Sequence, residues 1–217
     1  RLDSLRRQAE SAWKSAKLSE ARQVVARLDA LYRGRDDLRW ARARLKERQG
    51  DILDADTLLG VSESELMTTL DAAARLEVEA AARQVAAVTA VVPLALVDLF
   101  TALFANMRMI RRIAEIYGGR AGALGGWRLT RSVLAHLVAT GAVAVGDDLI
   151  GTLAGGGVLS KISRRFGEGL INGALTARVG VAAMEVCRPM PFRQAKRPSV
   201  TRLVQRALAG LFGASKT

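Results

Sequence analysis

The chain has 217 residues and a formal net charge of +12; half of its residues are hydrophobic, 5% are aromatic, and Cys187 is its one cysteine. A single cysteine excludes an internal disulfide bond and a multi-cysteine metal cluster. A composition dominated by Ala and Leu predicts an all-α, multi-helix bundle, and the positive charge indicates attraction to anionic lipid headgroups, nucleic acid or an acidic protein face.

Residues 1–60 are predicted to form a charged amphipathic helical region. Leu2, Leu5 and Ala9 begin a series of apolar residues at helical spacing, and Gly34 and Gly50 mark breaks between helices. Arg and Lys fill the other faces. These faces are either simply solvated or form a surface that binds a partner or lipid headgroups.

Residues 61–192 are predicted to form an apolar helical core domain. Ser62 and Glu65 make a capping-box pattern, which predicts the start of a long helix. Pro93 should break this helix, because proline lacks a backbone donor and clashes with the preceding turn. A second helix is expected over Leu94–Tyr117, and Gly118 should end it.

The run from Gln84 to Met107 is long enough to span a bilayer, but it contains Pro93 and Asp98 and is followed by arginines. Basic segments on both sides conflict with a single crossing, since positive charge prefers the cytoplasmic side. We therefore interpret the run as a buried apolar hairpin of a cytoplasmic domain. Shallow or hairpin insertion and a true single span are the alternatives.

Glycines repeat at intervals of four residues after this run, for example at Gly169 and Gly173. In membranes, small residues at that spacing let helix backbones approach closely. The same spacing also occurs in loops and in tight helix contacts of soluble proteins. Both interpretations stay open at the level of sequence.

Patterns for catalysis are absent from the sequence. His136 is the only histidine and is interpreted as structural, while Asp147 and Asp148 are adjacent and suit a cap rather than an acid–base pair. The chain lacks a phosphate-binding GxxxxGK[ST] pattern and a recognisable nucleic-acid-binding module. We therefore predict no enzymatic activity, no catalytic residue, no metal or cofactor, and no specific nucleic-acid partner.

Residues 193–217 are predicted to form a basic amphipathic helix, because apolar residues after Pro198 fall on one stripe and arginines lie beside it. Such a helix suits an anionic membrane surface. The alternative is a terminal helix docked on the domain. The membrane-surface candidates are Arg202, Leu203, Arg206, Leu211 and Phe212.

Two segments, Asn106–Gly118 (NMRMIRRIAEIYG) and Leu175–Pro191 (LTARVGVAAMEVCRPMP), closely resemble matching segments of the YcjF-like family of uncharacterised bacterial inner-membrane proteins. The resemblance covers roughly residues 60 to 192. It implies transmembrane helices upstream of this region, a domain facing the cytoplasm, and a link to envelope stress. The interaction candidates are Asp98, Asn106, Arg108, Arg111, Arg112, Tyr117, Arg178, Glu185 and Arg188.

The resemblance implies a non-enzymatic scaffold or membrane-organising module that forms homo-oligomers at an anionic membrane surface. The alternative is a regulatory partner or recruiter of a P-loop NTPase, because the family is often encoded beside one. We hypothesise that Asp98 and Glu185 neutralise arginines of the first segment inside the bundle, since a buried acid needs a partner. Alternatively, those arginines face phosphates of lipid or of a partner's nucleotide.

Overall fold

The computed structural model describes residues 2–91, 95–119, 123–139 and 162–213, with side chains for 2–91, 99–119, 128–139 and 167–210. This part of the chain contains helices and no strand, so the predicted all-α class is confirmed. A short 3-10 helix, Asp36–Leu38, precedes α3. The α-helices are α1 (Leu2–Ser15), α2 (Leu18–Leu31), α3 (Arg39–Arg48), α4 (Ala55–Val91), α5 (Ala95–Ile116), α6 (Ala123–Ala139), α7 (Ile162–Cys187) and α8 (Val200–Gly213).

The helices belong to two compact units, each made of three separate segments. Unit 1 contains Arg1–Ala74, Ala114–Arg120 and Cys187–Arg197, and unit 2 contains Arg75–Ile113, Ala121–Val186 and Pro198–Thr217. Helices α4, α5 and α7 each contribute residues to both units. The division predicted from chain order, with boundaries after residues 60 and 192, stays a prediction.

In unit 1, α1 and α2 pack against each other through the apolar stripes that the sequence predicts. Leu5 and Ala9 on α1 are buried, as are Val24 and Leu28 on α2. Helix α2 ends at Leu31, before Gly34, and α3 ends at Arg48, before Gly50, so both predicted breaks are confirmed. Burial of these stripes stabilises unit 1 at about 25 cal/mol per Å² of apolar surface.

Helix α4 begins earlier than the capping-box pattern predicts. Its first turn is capped by Asp54, whose Oδ2 accepts the backbone N–H of Thr57 at 2.7 Å. Ser62 lies inside the helix, and its hydroxyl donates to the carbonyl of Leu58 at 2.7 Å. The prediction of a start at Ser62 is therefore wrong, because the apolar periodicity that drives the helix already begins at Leu58 and Leu59, which are both buried.

The predicted stop at Gly118 is confirmed, whereas the predicted break at Pro93 falls on residues 92–94, which lie outside the described residues. Helix α4 ends at Val91 and α5 begins at Ala95. After α5, Gly118 adopts a φ of +90°, and its N–H donates to Glu115 O at 3.0 Å while the Gly119 N–H donates to Ala114 O at 2.7 Å. This pair of bonds is a Schellman motif, and its positive φ favours glycine.

Helices α4 and α7 approach each other closely in unit 2, in antiparallel directions. A Cβ added at Gly169 would lie 2.6 Å from the carbonyl oxygen of Ala86, and one at Gly173 would lie 3.1 Å from that of Ala82. A Cβ added at Gly180 would lie 2.5 Å from the side-chain Cγ2 of Val78. Of the two interpretations of the glycine spacing, the structure shows a tight helix contact within the chain.

Helix α8 docks on α4 within unit 2. Leu203 is buried, Arg83 Nε donates to the carbonyl of Ala207 at 3.2 Å, and Arg206 lies 3.5 Å from the buried Glu79. The prediction that Leu203 contacts a membrane surface is therefore wrong, because Leu203 is buried inside the protein. Arg202 and Arg206 are exposed, and the side chains of Leu211 and Phe212 lie outside the described residues.

Candidate functional site

A buried arginine, Arg188, lies at the centre of the polar interior of unit 1. Its side chain is 1% exposed. Its Nε and Nη2 atoms each donate to one oxygen of Asp71 at 3.0 Å, and Nη2 also donates to Oε1 of Glu63 at 3.1 Å. This two-point contact with a carboxylate is the strongest geometry available to a guanidinium group.

The remaining donors of Arg188 hold the polypeptide that follows it. Nη1 donates to the carbonyl of Met190 at 2.7 Å and to that of Pro191 at 2.8 Å. The guanidinium carbon also lies 4.1 Å from the ring centroid of Phe192, within cation–π distance. Arg188 therefore fixes the turn that leaves α7.

Glu63 completes the anchoring of the same segment. Its carboxylate accepts the backbone N–H groups of Arg193, Gln194 and Ala195 at 3.2, 2.9 and 3.2 Å. Residues 188–195 are therefore held by Arg188 through carbonyl groups and by Glu63 through N–H groups. We call residues 188–195 the anchored segment.

Both tyrosines of the chain belong to this network. The Tyr117 hydroxyl donates to Asp71 Oδ1 at 2.7 Å, and the Tyr32 hydroxyl donates to the carbonyl of Tyr117 at 3.1 Å. Burial raises the pKa of both phenols above the ordinary value of 10.0, and the charge of Asp71 raises them further. Both phenols are therefore neutral hydrogen-bond donors over the physiological range.

Raising the pH should release the tyrosine protons only when unit 1 unfolds. In the unfolded chain the phenols titrate near pH 10.0, whereas the folded chain keeps its protons above that pH. The unfolded state then binds fewer protons, so the free energy of unfolding falls as the pH rises above about 10. We expect tyrosinate absorbance and loss of helical circular dichroism to appear together. Tyrosinate absorbance near pH 10 with intact helices would contradict this placement.

The Arg188 network is a structural core rather than a reactive site. One cation faces two carboxylates, all three side chains are buried, and each has hydrogen-bond partners. Sequence reasoning selected Arg188 and Tyr117, which Asp71 brings together, but missed Glu63 and Asp71. The sequence does contain a sign of their role: Glu63 and Asp71 lie eight residues apart on one face of α4, and this face is otherwise apolar, with Met67 between them.

The arginines of the first family segment lie on the surface. Arg108, Arg111 and Arg112 are exposed, so the hypothesis that they are neutralised inside the bundle is wrong about their location. Glu185 instead forms a hydrogen bond with Nε2 of His136 at 2.8 Å. The side chain of Asp98 lies outside the described residues. That the exposed arginines face phosphates stays a prediction.

The other two candidates have local surroundings. The Asn106 side-chain amide donates to the carbonyl of Ala102, one turn earlier in α5, at 2.8 Å. Arg178 is half-buried on α7. His136, interpreted from sequence as structural, is bonded to Glu185 and partly exposed. None of these side chains contacts Arg188 through the hydrogen bonds described above.

Unit 2 exposes large apolar side chains on four helices. We call this set the unit 2 apolar surface, and its members are Leu76, Val91, Leu99, Phe100, Leu103, Phe104, Leu134, Val138, Ile171 and Leu175. Helix α5 shows the effect most clearly, because none of the side chains at 99–104 is buried, whereas burial begins at Ala105. The expectation of a buried hairpin is therefore wrong for residues 99–104 of α5.

Two searches of the described residues bear on chemistry and on membrane insertion. In residues 2–91, 95–119, 123–139 and 162–213 there is no group of three or more His, Cys, Asp and Glu that could hold a metal ion. In the same ranges, the segment Gly167–Cys187 is long and apolar enough to cross a membrane, but 56% of it is buried inside the protein, as in a core helix. Length and composition alone are weak evidence for a span.

Comparison with known proteins links this fold to membrane proteins. The sequence model of the family described as "Domain of unknown function (DUF697)" matches residues 53–213. A UPF0283 membrane protein of Rhizobium meliloti (strain 1021) is 50% identical over 92% of this chain and 55% of its own length. One of Sinorhizobium medicae is 51% identical over 86% of this chain and 52% of its own length.

A third such protein, from Agrobacterium fabrum, is 46% identical over 92% of this chain and 55% of its own length. The chain therefore spans about half the length of the curated relatives it matches. No solved structure matches it. These relatives are named membrane proteins, and these names support membrane association of the family.

Proposed function

The chain belongs to the DUF697 family, and from that premise we propose that it is a non-enzymatic helical module that contacts the lipid bilayer through the unit 2 apolar surface. The relatives named above are membrane proteins, which supports a bilayer as the occupant of this surface. On α5, Leu99, Phe100, Leu103 and Phe104 are exposed within six residues, and a monomeric soluble protein rarely leaves a contiguous apolar patch uncovered.

The observation that carries the proposal is the exposure of the apolar side chains at residues 99–104 of α5. Leu99 is 63% exposed, Phe100 54% and Phe104 66%. Phe100 and Phe104 are four residues apart and share one face, whereas Leu99 lies about 100° around the helix from Phe100, so exposed apolar side chains occupy a broad part of the helix surface. Acyl chains remove such side chains from water without requiring a specific protein partner.

The proposal extends to a wider role. We place the module at the bacterial inner membrane, facing the cytoplasm, as a scaffold or membrane-organising component that acts in envelope stress and forms homo-oligomers. The resemblance of Asn106–Gly118 and Leu175–Pro191 to the YcjF-like family supports this extension.

A second function is favoured by a different observation. Arg108 and Arg112 are exposed close to the apolar part of α5, where they suit an acidic or phosphate-bearing protein face. Together with the family resemblance, this supports a regulatory partner or recruiter of a P-loop NTPase. In that case, a protein and not a bilayer covers the unit 2 apolar surface.

Flotation with zwitterionic vesicles tests the bilayer proposal. We expect the full chain to bind vesicles of phosphatidylcholine, and Phe100→Ser with Phe104→Ser to weaken binding at least about tenfold, because each loses the apolar area of a phenyl ring. Trp40→Ser with Leu53→Ser is the control, since both residues are exposed apolar side chains of unit 1. Circular dichroism checks that both variants fold.

Two results would overturn the proposal. One is a wild-type chain that fails to float with vesicles, which would leave the protein-contact function. The other is equal loss of binding in the unit 1 control, which would show that any exposed apolar residue contributes.

A further inference from the structure

Exposed side chains on α5 change from apolar to basic along the helix axis. Phe104 and Arg108 are four residues apart and therefore share a face, separated by about 6 Å of helical rise. Arg112 follows one turn later, and both arginines are exposed. The exposed apolar residues at 99–104 of α5 are therefore followed along the helix axis by exposed guanidinium groups.

Helix α6 repeats this pattern in the reverse chain direction. Arg128 and Arg131 are exposed, and Leu134 and Val138 follow at 52% and 72% exposure. Arg131 and Val138 are seven residues apart, so the basic and apolar side chains share one face of the helix. The opposite face, which includes Val133, is buried.

Chain connectivity relates the two basic ends. The basic end of α5 is its C-terminal end, the basic end of α6 is its N-terminal end, and residues 117–122 are all that separates the two helices along the chain. Counted from this connection, each helix presents arginines first and exposed apolar residues second. Both helices can therefore place apolar residues in acyl chains and arginines at the headgroups in one orientation.

These four arginines differ from paired arginines elsewhere on the surface. Arg44 and Arg48 both bond the carboxylate of Glu65, at 2.8 and 3.1 Å. Within the part of the chain that the structure describes, the guanidinium groups of the α5 and α6 arginines at 108, 112, 128 and 131 form no hydrogen bond or ion pair. Among the described residues, no hydrogen-bonded or ion-paired acid neutralises their charge.

We propose that Arg108, Arg112, Arg128 and Arg131, the arginine band, bind the phosphate groups of anionic phospholipid headgroups. The inference rests on the proposed bilayer contact and adds the lipid class. Guanidinium groups bind phosphate through paired hydrogen bonds, and long side chains next to apolar helix faces reach the headgroup level. Charge complementarity thus selects anionic over zwitterionic lipid.

Helix α8 is a less suitable site for binding anionic lipid. Leu203, Val204 and Ala207 of α8 are buried, and Arg206 lies beside the acid Glu79 of α4. Helix α8 therefore has no free apolar face at its described residues with which to enter a bilayer. Arg202 is exposed on α8 and serves as part of a control.

The experiment compares binding of the full chain to phosphatidylcholine vesicles with and without about one third phosphatidylglycerol. At low salt, each basic residue near the surface contributes roughly fivefold to binding, so the four predict a preference of roughly a hundredfold or more for anionic vesicles. Replacing all four arginines of the band by Gln should reduce this preference to less than about tenfold. Replacement by Lys should retain much of it, because the charge remains.

The matched control removes the same charge elsewhere. Arg7, Arg22, Arg33 and Arg202 are exposed, and their replacement by Gln should leave most of the preference for anionic vesicles. Equal loss in this control would overturn the inference, because net charge alone would then explain the preference. An unchanged preference in the band variant would also overturn it.

Failure of this inference and failure of the proposed function give different results. If the band variant keeps its lipid preference while Phe100→Ser with Phe104→Ser still weakens binding to zwitterionic vesicles, the bilayer contact stands. In that case the inference that the arginine band binds headgroup phosphates is wrong. If the wild-type chain binds neither vesicle type, the bilayer contact itself is wrong. Helical circular dichroism of each variant confirms that it is folded before binding is compared.

Discussion

Replacing Arg188 by Met is expected to lower the free energy of unfolding of unit 1 by about 3–5 kcal/mol. The substitution leaves Glu63 and Asp71 buried and charged without their cation, and it removes the donors that hold the carbonyls of Met190 and Pro191. Urea denaturation followed by the fluorescence of Trp13 measures the effect, because Trp13 is buried in unit 1.

A surface arginine provides the comparison. Arg44→Met removes an ion pair with Glu65 in which the arginine side chain is 56% exposed, so we expect a loss of less than about 1 kcal/mol. The loss in free energy of unfolding for Arg188→Lys should lie between the losses for Arg44→Met and Arg188→Met, since an ammonium group keeps the charge but cannot contact Asp71 with two nitrogens.

The acids of the network test its electrostatic origin. In a chain that already carries Glu63→Gln and Asp71→Asn, the cost of Arg188→Met should be smaller, because fewer buried charges lose a partner. An equal cost in both backgrounds would show that Arg188 acts through packing and the anchored segment alone. A cost for Arg188→Met as small as that for Arg44→Met would contradict the buried network.

Replacing Gly169 by Ala is expected to destabilise unit 2 by a net 1–2 kcal/mol, roughly, although alanine is the better helix former. The added Cβ would meet the carbonyl oxygen of Ala86 at 2.6 Å, and a backbone atom cannot move aside cheaply. Overpacking of this kind costs about 1–3 kcal/mol, against a gain of up to about 1 kcal/mol from helix propensity.

Two glycines of the same helix calibrate this effect. Gly173→Ala should cost less, because its Cβ would lie 3.1 Å from the nearest backbone oxygen, and Gly167→Ala should stabilise by up to about 1 kcal/mol, because nothing lies within 4 Å. Thermal unfolding followed by circular dichroism gives the order. If Gly169→Ala stabilises as much as Gly167→Ala, the close approach of α4 and α7 is wrong.

Local chemistry explains which parts of the fold could be predicted from the sequence. Gly118 ends α5 through its own backbone properties, so this boundary follows from a single residue. The start of α4 is different, since Asp54 and Ser62 are both acceptable caps in isolation. The apolar residues between them favour the earlier start.

The candidate site depended on long-range packing, which sequence periodicity does not supply. The α8 stripe suits either a membrane or a protein surface, and burial of Leu203 on α4 decides between them. The run across Pro93 shows the opposite outcome. Its charged flanks favoured burial, yet Phe100 and Phe104 are exposed because no described segment of the chain covers residues 99–104.

The Arg188 network also determines when unit 1 can be completed during synthesis. Arg188 lies 117 residues after Asp71 and 125 residues after Glu63 along the chain. A nascent chain therefore leaves the ribosome with two acids on an apolar helix face long before their cation is translated. The segments of unit 2 up to residue 186 therefore emerge before the polar core of unit 1 can be completed.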